Sequence, residues 1–201
     1  MNRNKQCLFF DTETSGFITK SKSAKDPDQA WIVQLVGVLC EDKEIINSVN
    51  VIIKANGRSM NPHAQAIHGI SPEQADRDGL DEPEALGLFA DLLVKNPMRV
   101  CHNYAFDSVF LDQLFERNMD VLSDEHRSKY FLQFPHFCAM TDPRIKKFCN
   151  AKDKKGSVKN PKLIELYTKL FDQDFEKQHD ALADALALRS CYYKLKELEV
   201  I

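Results

Sequence analysis

The stretch FFDTETSGF, residues 9–17, decides how this chain is read. It joins the apolar run Cys7-Leu8-Phe9-Phe10 to a tract of threonine, serine and glycine, and it places Asp11 and Glu13 at the junction. Residues 6–11 read as a short buried strand. If the strand continues through the acids, its period of two turns both carboxylates to one face. Two carboxylates on one face repel each other unless something neutralises them. A divalent cation would do so. A polar strand end turning into a loop would produce the same letters.

Working outward, residues 32–40 (IVQLVGVLC) and 45–53 (IINSVNVII) are further strand candidates, joined by the polar turn Glu41-Asp42-Lys43-Glu44. Together they predict an antiparallel meander. A polar, lysine-rich loop, residues 18–31, separates the first two strands. Ser71-Pro72-Glu73-Gln74 has the form of a capping box with proline at the first helical position. Residues 83–95 place apolar side chains at 85, 86, 89, 92 and 93, a helical spacing that Pro97 ends. Residues 98–103 read as another strand. Residues 105–118 read as a helix with Phe106, Val109, Phe110 and Leu114 on one stripe. Residues 161–171 and 179–198 read as two more helices. Strands first, then helices alternating with strand, predict a mixed α/β domain.

Composition narrows the function. With 201 residues, 43% of them hydrophobic and 28% charged, the chain is expected to form a single domain over residues 1–201 that buries its own core. A net charge of −3 and a pI of about 6.1 exclude a long-range positive field. A polyanionic partner must therefore be gripped locally, by metal ions or by a small basic patch. The six cysteines, at 7, 40, 101, 138, 149 and 191, contain no C-x-x-C pair. This spacing argues against a zinc site and for reduced thiols in a cytoplasmic protein. No apolar stretch is long enough for a secretory leader or a membrane span, so no membrane partner is expected.

Three separate stretches set acids at element boundaries: Asp11 and Glu13 at the end of the first strand, Asp107 in HNYAFD, and Asp184 in HDALAD. His179 precedes Asp184 by five residues. On one helix the two would lie about 140° apart. They converge only if His179 belongs to the preceding loop or the first turn. Each acid alone also suits a helix N-terminus, where negative charge complements the macrodipole.

FDTETSG, HNYAFD and HDALAD together resemble, in order and wording, the three motifs of the DEDDh family of 3′→5′ exonucleases. NPHAQAIHGIS (61–71) resembles that family's helix-turn segment, and PKLIELYTKLF (161–171) the helix before its third motif. The resemblance spans residues 7–195. It implies a ribonuclease H-like mixed sheet flanked by helices. It also implies that Asp11, Glu13, Asp107 and Asp184 hold two Mg²⁺ or Mn²⁺ ions, with His179 as general base. Carboxylate oxygens are the donors such ions prefer. By the same resemblance Thr14, Gly16, Ile67, His68, Asn103 and Phe106 surround the terminal nucleotide. Phe106 has packing against the sheet as an alternative role, and His68 a structural hydrogen bond in a tight turn. Ser15 and Gln34 depart from the usual pattern. The lysines of 18–31 and 150–160 are either phosphate contacts or solvated side chains.

The expected activity is release of nucleoside 5′-monophosphates from single-stranded or frayed DNA ends, in proofreading or repair, with a DNA polymerase or replication protein as a partner. RNA ends are the alternative substrate. A non-catalytic module that binds nucleic-acid ends or a polymerase is the rival from another class. The intact set of five candidate residues argues against it.

Overall fold

The computed structural model describes residues 6–131 and 135–201. Among these residues five strands form one sheet in the order β3-β2-β1-β4-β5. They are β1 (Gln6–Thr14), β2 (Ile32–Glu41), β3 (Glu44–Ile52), β4 (Met98–Cys101) and β5 (His136–Cys138). The first three form the expected meander, with β1 and β3 each antiparallel to β2. β4 and β5 continue the sheet parallel to β1. The sheet is thus mixed, and the carboxyl ends of β1, β4 and β5 share one edge.

Eight α-helices and a 3₁₀ turn (Met119–Val121) complete the described residues: α1 (Pro62–His68), α2 (Pro72–Asp78), α3 (Glu82–Leu93), α4 (Tyr104–Asn118), α5 (Asp124–Phe131), α6 (Pro143–Cys149), α7 (Leu163–Phe171) and α8 (Ala181–Glu197). Ser71 caps α2 as expected, its hydroxyl accepting from the Gln74 N–H. All five apolar positions named for α3 are buried. Val109 is a correction. It is 40% exposed, so the α4 stripe runs through Phe110, Leu111, Leu114 and Phe115 instead.

Period-two alternation along β1 divides the core. Leu8 and Phe10 join Trp31, Leu35, Phe89 and Phe110 on the face covered by α3 and α4. Cys7 and Phe9 join Val36, Val38, Tyr192 and Leu195 on the face covered by α8. Trp31, at the end of the 18–31 loop, is only 1% exposed. Its main chain pairs with Ser15, and the Arg58 guanidinium lies 4.5 Å from its ring centroid. Ser15, the departure from the family wording, is therefore the clamp that closes this loop.

Gly37 in β2 has a steric reason. A Cβ there would lie 2.6 Å from Leu92 Cδ1 and 3.0 Å from a Phe89 ring carbon. The bare backbone lets α3 settle on the sheet. Gly37→Ala is expected to cost about 1–3 kcal/mol, the usual penalty of overpacking. Urea unfolding at fixed pH checks this; an unchanged midpoint would show that α3 moves away freely.

Candidate active site

β1 outruns its parallel neighbour. Pairing with β4 covers Cys7 to Phe9 only, and β4 ends at Cys101. Residues 11–14 therefore reach beyond β4 as an extended arm bound on one side to β2. The expectation that the strand continues through the acids is met. Asp11 and Glu13 share the parity of Phe9 and point to the α8 face. Thr12 has the opposite parity and meets α4.

That meeting fixes Asp107, which lies in the first turn of α4 and is 3% exposed. Its Oδ1 accepts from the Thr12 backbone N–H at 3.1 Å and from the Thr12 hydroxyl at 2.7 Å. Its Oδ2 accepts from the Cys101 thiol at 3.1 Å. The strand expected to reach residue 103 stops at Cys101, and the chain bends through His102 and Asn103 to start α4.

Asp184 occupies the first turn of α8. The helix expected from residue 179 begins at Ala181, so His179 lies in the turn before it. Its backbone is left-handed, with φ 65°, a conformation uncommon for a residue with a side chain. Its N–H donates to Asp184 Oδ2 at 3.3 Å. The geometric condition set by the sequence is thus fulfilled. Asp180 caps α8 by accepting from the Leu182 and Ala183 N–H groups. Gln34, paired with Glu13 across β1 and β2, accepts from the Ala181 N–H at 3.2 Å and donates to Asn50 at 3.0 Å. Its neutral amide ties α8 to the sheet.

The result is two adjoining triads. Ligand atoms of Asp11, Cys101 and Asp107 lie within 4.8 Å of one another, as do those of Glu13, His179 and Asp184. Burial raises the Asp11 pKa well above the carboxylate range, and Asp107, Asp184 and Glu13 push it further. Glu13 is raised to about 8 by burial and then by Asp184 and Asp107. Asp184 rises to about 6, chiefly through burial. Asp107 also rises to about 6, where burial outweighs the hydrogen bonds from Thr12 and Cys101. The charges acting on Asp11 and Glu13 are all negative. Hard oxygen donors under uncompensated negative charge are the environment a divalent cation fits. Cys101 is the exception in donor type. Burial and its anionic neighbours hold its thiol protonated.

Beside Glu13 opens a cavity of about 240 Å³. Thr14, Gly16, Ile67, His68 and Phe106 line it, all candidates from the sequence. Asn103 is not among the lining residues; its carbonyl instead accepts from the Phe106 and Asp107 N–H groups. His68 lines the cavity and also fills its structural role, its Nδ1 accepting from the Ile70 N–H at 3.1 Å. Phe106 likewise lines the cavity and packs on the core ring of Phe110 at 5.1 Å. Gly16, at φ 153°, brings its main chain against Asn61, whose Cβ is 3.4 Å from where a Gly16 Cβ would stand.

Residues 8–192 match the exonuclease family of the RNase T type. The chain belongs to this family. Its DEDDh-type motifs and ribonuclease H-like sheet are those of the 3′→5′ exonucleases. Among solved structures it is similar to Escherichia coli exonuclease I in complex with a dT13 oligonucleotide, with a TM-score of 0.75 and 20% identity over 96% of this chain and 41% of that one. Exonuclease I from Methylocaldum szegediense gives 0.72 and 20%, over 96% and 40%. A zinc-bound complex of E. coli exonuclease I with single-stranded DNA gives 0.72 and 18%, over 98% and 41%. The chain thus spans about two fifths of the exonuclease I chains it matches, and at these identities the likeness is one of fold. No curated protein sequence matches it. Exonucleases of this family need divalent metal ions. Among the described residues no helix is long and apolar enough to cross a membrane.

Sequence reading missed four residues of this acidic cluster and its cavity. Cys101 read as a core thiol, although its place just ahead of HNYAFD was a usable signal. Thr12 lies between the two acids and is the residue strand parity sends to the other face. Asp180 adds negative charge to Asp11 and Glu13. Phe17, 79% exposed, stands edge-on to Phe106 at 6.2 Å on the cavity wall.

The raised carboxylates bind protons in the folded protein that the unfolded chain has released. Their stabilising contribution is complete below pH 4 and is lost as pH rises through about 6 to about 8. Asp11→Asn removes one charge from this crowd. In chelator, its melting temperature relative to the parent should therefore increase between pH 5 and pH 8.5, and at the higher pH it should equal or exceed the parent's. Paired melting curves test this. A gap independent of pH would mean that repulsion at Asp11 is negligible.

Proposed function

We propose that the chain is a metal-dependent 3′→5′ exonuclease that releases nucleoside 5′-monophosphates from single-stranded or frayed DNA ends. One observation carries the reading. Two carboxylate-bearing triads, Asp11-Cys101-Asp107 and Glu13-His179-Asp184, stand beside a cavity of about 240 Å³. Asp11, Glu13, Asp107 and Asp184 are the residues that would hold two Mg²⁺ or Mn²⁺ ions. Such a pair of ions, when bound, activates water and stabilises the leaving 3′-oxygen.

The protein's own groups do the rest. Thr12 and Cys101 orient Asp107 before substrate arrives. His179, exposed on its turn, takes the proton of the attacking water on a ring nitrogen. The main chain of Thr14 to Gly16, with Ile67 and His68, surrounds the last sugar. Phe106 and Phe17 offer ring faces and edges to the last base, a mode that tolerates any base. DNA is favoured because the similar exonuclease I is held with dT13 and with dA16. Proofreading or repair beside a polymerase, in the cytoplasm, is the setting this chemistry suits.

A 5′-labelled DNA strand with Mg²⁺ or Mn²⁺ should give a descending ladder and mononucleotide product, faster than an RNA strand of the same sequence. Cleavage of a covalently closed single-stranded circle would refute an end-directed enzyme, and a faster RNA ladder would move the substrate to RNA.

His179→Ala should keep Mn²⁺-dependent thermal stabilisation and lose roughly 10²–10⁴-fold in single-turnover rate, the usual contribution of a general base. Near-parental turnover by the folded variant would place the base elsewhere.

A further inference from the structure

Positive charge is strongly concentrated in one segment. Between Arg144 and Lys169 there are nine lysines and arginines against two acids, Asp153 and Glu165. That is +7 in a protein whose total is −3, which leaves −10 for the remainder. We infer that the hairpin at 151–159, with Lys152, Lys154 and Lys155 at its tip, is a docking surface for the sugar-phosphate backbone of the strand trailing behind the 3′ end. The inference rests on the exonuclease reading of the site and adds the path of the substrate outside it.

Three observations support it. First, the tip is built so that its lysines stay free. Asp153 is the acid nearest to them in sequence, and its Oδ1 accepts from the Lys155 and Ser157 N–H groups at 2.8 and 2.9 Å. Its charge is spent on ordering the turn, which Gly156 closes at φ 80° and the Lys152–Val158 bridge braces. Glu165 pairs with Lys159 at 2.6 Å. Among the described residues Lys152, Lys154 and Lys155 enter no ion pair, and all three are exposed.

Second, the segment is attached at the active site. The Ala139 and Met140 N–H groups, just before α6, donate to the carbonyls of Cys101 and His102. At the other end Pro161 lies beside the His102 ring. Both ends therefore meet the short bend that leads from β4 to Asp107. Third, the other lysine-rich loop carries less net charge. In 18–31, three lysines face Asp26 and Asp28, which hold Lys22 and leave a net +1. Charge complementarity then selects the occupant, because a phosphodiester strand entering an acidic site needs cations on its flank, and this is where the chain has gathered them.

The test is the full chain with Lys152→Gln, Lys154→Gln and Lys155→Gln together. In chelator, where no turnover occurs, anisotropy of a labelled 30-mer oligothymidylate is followed across a salt series. Each lost phosphate contact on a single strand lowers the slope of log K against log salt by about 0.7, so the triple variant should be shallower than the parent by about 2. In Mg²⁺, KM for the 30-mer should rise at least about tenfold while kcat for the 30-mer and kcat/KM for a dithymidine dinucleotide stay within about twofold. An unchanged salt slope would overturn the docking surface, and so would equal losses on dinucleotide and 30-mer. If the parent degrades neither substrate, the exonuclease reading fails, and the salt slope alone still decides whether the hairpin binds the strand.

Discussion

Negative charge crowded at the end of the central strand is the constraint around which this fold is arranged. Asp11 and Glu13 can share a face only because β1 stays extended beyond β4, and that extension requires β2 to remain paired as far as Ile32. Asp107 and Asp184 then arrive from helices on opposite faces of the sheet. Burial raises the pKa of all four, and neighbouring carboxylates raise those of Asp11, Glu13 and Asp184 further. A fold that only needed stability would have no reason to retain this arrangement. The two large apolar faces, one under α3 and α4 and one under α8, supply the stability that lets it persist.

Much of this was legible in the sequence, for identifiable reasons. β1 announces itself as an unbroken apolar run because both faces of the strand are buried by different helices. α3 is legible because its apolar spacing is regular and Pro97 stops it. The three acidic motifs are legible through their order and wording. By contrast, α5 (DEHRSKYF) has no apolar stripe to betray it, and β5 has three residues, too few for any periodicity. α6 is a single short helix whose clearest mark is Asp142, accepting from the Arg144 and Ile145 N–H groups as its cap.

Within the site, what stayed hidden was contact across elements. Nothing local says that Thr12 serves Asp107, ninety-five positions later, or that Gln34 holds the first turn of α8. Strand parity puts Thr12 on the correct face, but the partner is visible only once α4 is docked. Lysines show the reverse problem. The loops 18–31 and 150–160 look alike as letters, and only the folded chain shows that Lys22 of the first is held by Asp26 and Asp28, whereas Asp153 of the second is turned to backbone N–H groups.

Asp107 also differs from its companions in freedom. Three donors hold its two oxygens, so its torsions are fixed when the protein folds. The rotational entropy of that side chain is lost at folding and is not lost again when a ligand binds. Among the described residues, Glu13 and His179 stand at the open side of the cluster with no side-chain hydrogen bond of this kind. The site thus pairs a stiff floor with an adjustable wall: the floor favours rapid, low-cost capture, and the wall can follow a scissile group as its geometry changes.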